Sequence, residues 1–188
     1  GATACLGENA AAVGWRCGRG PRGSEDRAVP IARVPAIIGA ETCHRGRLHQ
    51  GDGTARIFED DSSVFTFSIH CDANFPFRKK TGDLDIGLPK GTSDEIYLST
   101  LEKNLVTLAD FEPEILFFQA GVDPLDKDHL GLFNLSQEGL MARNKMVLDF
   151  AQDLDIPCLV FMGGGYAKPI EHTVKAFINL FTQCSSYN

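Results

Sequence analysis

The first 47 residues contain no lysine and no phenylalanine, although the chain has 13 phenylalanines, all at or after Phe58. That opening carries seven arginines, and fragments such as Cys17-Gly18-Arg19-Gly20-Pro21-Arg22-Gly23 show neither helical nor strand periodicity. Residues 1–47 are therefore expected to be a divergent, poorly ordered leader, with only Val34 to Ile38 a possible short strand, interrupted by Pro35. An excess of Arg, Gly, Ala and Cys is also what GC-rich codons give when read out of frame. The source DNA decides that hypothesis, which fails if neither shifted phase encodes regular strand and helix text. No apolar run approaches the roughly 18 residues of a membrane helix, which excludes a helical span. No basic flank precedes an apolar stretch at the amino terminus, so a secretory signal is not expected. The formal net charge is -7 and no basic stripe is sustained, which speaks against electrostatic binding to nucleic acid. The six cysteines form no CxxC pair, and reduced thiols in an intracellular, cytoplasmic protein are the expectation.

What remains is enough for one sizeable core: 188 residues, 43% apolar and 23% charged. From His49 onward the text becomes regular. His49-Gln50-Gly51-Asp52-Gly53-Thr54 is a glycine-punctuated loop, and Ser63 to Ile69 is a β-rich run of strand length. Residues 71–91 read as a long loop. Thr92-Ser93-Asp94-Glu95 has the pattern of a capping box, opening a helix with Leu98, Leu101, Leu105 and Leu108 at helical spacing. Ile115 to Ala120 is a short apolar strand that ends at Gly121-Val122-Asp123-Pro124. Ser136 caps a second helix with Leu140, Val147, Ala151 and Leu154 inward, and Pro157 to Met162 is another buried strand, ending in Gly163-Gly164-Gly165-Tyr166. A last helix sets Ile170, Val174, Phe177 and Phe181 on one side. This alternation predicts an α/β fold: three layers, α-β-α, around a mainly parallel sheet covered on both faces.

Ligands collect at the carboxyl edge of such sheets, so three places carry chemistry: His49, Asp123 and Tyr166. An acid at a strand end is a metal ligand, a base or the cap of the next turn. One His and one Asp are too few for a catalytic zinc, which takes three protein ligands and an open position. A Tyr hydroxyl after three glycines can donate to a developing oxyanion while the glycines let backbone approach a substrate. Each has a structural reading as well: turn or core for His49, a turn for the glycines. Asp126 and Asp128 read as solvated loop acids, and His70, His129 and His172 as surface or core residues.

Five ordered stretches, HQGDGTARIF, FSIHCDANFPFR, DLDIGLPKGTSDEIYL, FQAGVDPLDKDHLGLFNLS and MGGGY, resemble the zinc-dependent histone deacetylases, closest to the bacterial and class IV type. The resemblance runs from His49 to about Ile178 and implies the arginase/deacetylase fold, with residues 48–188 as the carboxyl-terminal portion of the domain and its amino-terminal part missing or divergent. It implies hydrolysis of acetyl-lysine in histones or other proteins, or of a small acetylated amine such as an acetylpolyamine. His49 and Asp123 match zinc ligands, Tyr166 the tyrosine that polarises the amide carbonyl, and Asp52 an acid that orients a catalytic histidine. Ser68 matches a contact to a structural potassium ion, Phe58 and Val64 positions of a second monovalent-cation site. Phe75, Gly164 and Gly165 match positions along the family's acyl-lysine tunnel. Two departures stand out. The D-x-D acids that precede the ligand histidine fall on Arg45 and Arg47, and the tandem His-His base has no counterpart. A cation in place of a carboxylate at about 4 Å from a divalent ion costs several kcal/mol at an effective dielectric near 20. A non-catalytic protein of the same fold is therefore the rival expectation.

Overall fold

The computed structural model describes residues 3–7, 10–14, 35–40, 51–74 and 78–187; His49, Phe75 and the side chain of Asp52 lie outside that description. Its centre is the apolar run after Pro113. β6 (Ile115–Ala120) pairs in parallel with β3 (Pro35–Ala40) on one side and β7 (Cys158–Phe161) on the other. β4 (Phe65–Cys71) and then β5 (Leu84–Leu88) extend the parallel sheet beyond β3. Beyond β7 lies an antiparallel hairpin of β1 (Thr3–Gly7) and β2 (Ala10–Gly14). The order is β1-β2-β7-β6-β3-β4-β5. The strand expected at Val34 to Ile38 thus forms in the middle of the sheet, with Pro35 at its first position, where a missing N–H is tolerated.

Side chains on β6 alternate. Leu116, Phe118 and Ala120 are buried, while Phe117 and Gln119 are half-buried on the other face. The buried face receives α2 (Asp94–Asp110), α3 (Gln137–Asp153) and α4 (Glu171–Ser185), which pack side by side. Tyr97, Leu101, Leu105 and Leu108 of α2 meet Leu140, Val147 and Ala151 of α3 in one core with Ile38, Phe67, Ile69 and Val160 of the sheet. Each fully buried Leu, Ile, Val or Phe of this set contributes about 1.5–3 kcal/mol. The short α1 (Asp52–Ile57) occupies the other face: Thr54 and Ala55 line a small cavity with Thr66, Ser68 and Gln119. That placement is what right-handed crossovers require, because β3 connects outward to β4 whereas β6 connects the opposite way to β7. The topological switch point, where α/β sheets bind ligands, therefore falls between β3 and β6. Among the described residues no helix is long and apolar enough to cross a membrane.

Several local expectations change. The stretch 71–91 contains strand β5, an edge strand whose polar alternation disguised it. Ser93 is the N-cap of α2, yet its side chain makes no capping bond, and the Thr92 hydroxyl donates instead to the Pro89 carbonyl at 2.6 Å. Asp94 spends its carboxylate on the next helix, accepting from the N–H (2.8 Å) and hydroxyl (2.5 Å) of Ser136, which in turn caps α3 by accepting from Gly139 N–H at 2.9 Å. Leu154 is the exposed C-cap of α3 rather than an inward residue. α4 buries Thr173, Ala176, Phe177, Leu180 and Cys184, and leaves Ile170 and Val174 half in water. Thr173 owes its inward place to a bond its hydroxyl accepts from Ala167 N–H at 3.0 Å.

A candidate active site at the ends of two neighbouring strands

β6 and β7 deliver their following loops to the same edge. After β6, Val122 and Asp123 are 1% and 2% exposed, and the Val122 N–H donates to the Gly164 carbonyl at 2.7 Å. That bond joins the loop of Asp123 to the loop of Tyr166. The Asp123 turn is further held by Leu125 N–H on the Val122 carbonyl (3.2 Å) and Leu135 N–H on the Pro124 carbonyl (3.1 Å).

Gly164 sits between the acid and the ring. A Cβ built on it would lie 2.9 Å from Asp123 Oδ2 and 3.3 Å from Tyr166 Cε2, so any side chain there would push the pair apart. At Gly165 a Cβ would lie 2.5 Å from Val122 Cγ2, so this glycine permits the close approach of the two loops themselves. The arrangement offers a buried carboxylate oxygen beside a half-buried phenol, across one glycine.

Of the residues the sequence pointed to, Asp123, Gly164, Gly165 and Tyr166 come together. Ser68 lies on β4, beyond β3 from β6, with its hydroxyl 3.2 Å from His70 Nδ1. His70 is buried, and that burial, with the Lys79 charge second, lowers its pKa below the ordinary histidine value against the smaller opposing pull of Asp85 and Asp72. Phe58 and Val64 lie before the amino end of β4, away from Asp123. The Phe58 carbonyl accepts from Asp61 N–H and the Asp61 carbonyl from Val64 N–H, both at 3.0 Å, in two successive turns. Asp52 opens α1.

Three contributors were given no role at the site from sequence. Asp128 is buried rather than solvated, and its carboxylate accepts from the backbone of Leu130, Gly131 and Tyr166. His129 is exposed and sets its ring Nδ1 against the Tyr166 carbonyl. The apolar neighbours Leu125 and Leu130 were the available sign that this loop packs inward. Arg143 of α3 is 1% exposed. Its guanidinium lies over the Phe118 ring at 5.5 Å, donates to the Gly121 carbonyl at 2.6 Å and to Asn144 Oδ1 at 2.8 and 3.2 Å. It thereby pins the end of β6 just ahead of Asp123. Helical periodicity gives no warning of it.

A family model described as a histone deacetylase domain matches residues 48–181. The chain is 45% identical over 128 residues to an uncharacterized protein of Picosynechococcus sp., covering 68% of this chain and 43% of that protein. It is 33% identical over 124 residues to histone deacetylase 2 of Arabidopsis thaliana, covering 64% of this chain and 32% of the relative. The solved structure of an HDAC homolog from Aquifex aeolicus superposes with a TM-score of 0.64 at 30% identity, over 80% of this chain and 41% of that one. The chain thus spans less than half the length of these relatives.

Proposed function

Because this chain belongs to the histone deacetylase family, we propose that the Asp123–Gly164–Tyr166 cluster is the carbonyl-binding half of a site that hydrolyses an acetylated amine, foremost the acetyl-lysine of a protein. The observation that carries this reading is the shared glycine: Asp123 Oδ2 and the Tyr166 ring both border the space that a Cβ on Gly164 would fill. In this role the Tyr166 hydroxyl donates to the amide carbonyl and holds the negative charge that develops on its oxygen. Gly164 and Gly165, with Phe75, form the wall along which the acyl-lysine enters. Asp123 and His49 are the two donors the chain offers a metal, and Asp52 the acid that orients a histidine. Ser68 serves one potassium site, and the carbonyls of Phe58 and Val64 another.

Zinc, which the family chemistry implies, polarises the carbonyl and activates water when bound. It takes three protein ligands in sites of this kind. Among the described residues no group of three His, Cys, Asp or Glu side chains could hold a metal ion. Asp123 and His49 make two donors, and Arg45 and Arg47 add positive charge where acids are expected. This donor set does not fit a resident zinc, and it favours a second reading: a non-catalytic member of the family that binds an acetylated amine without cleaving it.

One experiment separates the two. Bound zinc and acetate release from an acetyl-lysine peptide are measured on the chain with and without added zinc. Under the first reading acetate is released, and Tyr166→Phe lowers kcat by about 10²-fold or more without changing bound zinc. Release no faster than in buffer under every condition refutes hydrolysis and leaves the binding role.

A further inference from the structure

The loop that carries Tyr166 belongs to no helix or strand, yet both backbone polar groups of that residue are tied down. Asp128, 8% exposed, does most of the tying. Its Oδ1 accepts the N–H groups of Leu130 and Gly131 at 2.8 and 2.7 Å, which closes its own loop. Its Oδ2 accepts the N–H of Tyr166 at 2.5 Å. The neighbouring His129 brings its ring Nδ1 to the Tyr166 carbonyl, so that nitrogen carries the proton. Asp128 also forms an antiparallel bridge with Ala167, and Lys168 N–H donates to the Lys127 carbonyl at 3.3 Å. The segment that begins with Asp123 therefore ends by gripping Tyr166.

We propose that Asp128, assisted by His129, is the positioning residue for Tyr166: it sets where the phenol stands relative to Asp123. The inference rests on Tyr166 being the group that meets the substrate carbonyl. An ionised carboxylate is acceptor-only and serves three N–H donors at once. Charge-assisted bonds of this kind are short and roughly twice as strong as neutral ones. An amide in its place keeps the shape but turns an NH2 group toward one of those donors. Either the 128–131 loop or the Tyr166 backbone must then shift, and a misplacement near 1 Å costs about 10²-fold in rate.

The test uses the chain with ring-labelled tyrosine, whose three tyrosines (97, 166 and 187) give resolvable ring signals, Tyr166→Phe assigning the one at issue. Asp128→Asn should move the Tyr166 signal and leave Tyr97 and Tyr187 in place. His129→Ala, at an exposed position where little stability is at stake, should move the same signal less. Asp126→Asn, the exposed neighbouring acid paired with Lys127, should move none. In acetate release, Asp128→Asn should lower kcat on the order of 10- to 100-fold with KM little changed, and should add no further loss to Tyr166→Phe. A Tyr166 signal unmoved in both Asp128→Asn and His129→Ala overturns the proposal, as does a loss that multiplies with that of Tyr166→Phe. A signal that moves in a chain that hydrolyses nothing supports the clamp and tells against the deacetylase reading, so the two ideas fail separately.

Discussion

Replacing Gly165 with alanine should damage the fold more than any other single methyl added near the site. The new Cβ would lie 2.5 Å from Val122 Cγ2, 2.8 Å from Thr173 Cγ2 and 3.4 Å from Phe177 Cε2. Non-bonded carbons rest about 3.5–4.0 Å apart, so the first two are overlaps of roughly an ångström. Val122 and Thr173 are short, β-branched and stiff, and at 1% and 6% exposure neither can swing into water. Relief has to come from backbone, by parting the Asp123 loop from the start of α4. Overpacking of this kind costs about 1–3 kcal/mol. For a chain of this size each kcal/mol lowers Tm by roughly 2–4 °C, so a midrange cost of about 2 kcal/mol predicts a fall of about 4–8 °C. Gly164→Ala makes a useful contrast. Its Cβ meets Asp123 Oδ2 at 2.9 Å and Tyr166 Cε2 at 3.3 Å, both near the ends of side chains that can turn aside. It should lose less stability and disturb the acid–phenol pair instead. Thermal unfolding by circular dichroism at matched concentration should rank wild type above Gly164→Ala and Gly164→Ala above Gly165→Ala. A Gly165→Ala Tm within about 1 °C of wild type would refute this reasoning about the contact.

Arg143→Met fills a similar volume but leaves the Gly121 carbonyl and Asn144 Oδ1 without their guanidinium donors; a loss of about 3 kcal/mol is expected, and an unchanged urea midpoint would show the guanidinium to be dispensable. His70 supplies a pH dependence. Its folded pKa lies below the ordinary 6.5, chiefly through burial, so the unfolded chain takes up the proton first. The His70 contribution is whole above pH 6.5 and is lost as pH falls from there through the lower folded value. The urea midpoint should drop between about pH 7.5 and pH 5.5, and His70→Gln should flatten that drop; an equal drop in the variant assigns the effect elsewhere.

The parts of this protein that could be read from its sequence are those where a single physical signal dominates. β6 and β7 are short apolar runs stopped by Gly or Pro, and because they are parallel and central their ends had to meet at one edge. That brought Asp123 and Tyr166 into view together. β5 escaped notice because an edge strand with Asp85 and Gly87 lacks a continuous apolar run. The helix ends were obscured because Glu112 and Asp155, at φ 53° and 54°, take the left-handed conformation that glycine usually announces. In α4 the buried face was misjudged because apolar residues occur on more than one side and a threonine was drawn inward by a hydrogen bond. Among the described residues Cys71, Cys158 and Cys184 are free and buried, and burial pushes the Cys158 thiol up to about 12. Asp128 illustrates the limit. In the sequence it is one more acid among Asp123, Asp126 and Asp128, and only the approach of the distant Tyr166 N–H distinguishes it.

The acid and the phenol hang from adjacent strands of one sheet, and a hydrogen-bonded ladder keeps neighbouring strands about 4.8 Å apart. The sheet therefore fixes how far apart their two loops start, and the bond from Tyr166 N–H to Asp128 then ties the second loop to the first. The two loops thus keep their starting distance whatever residues their tips carry.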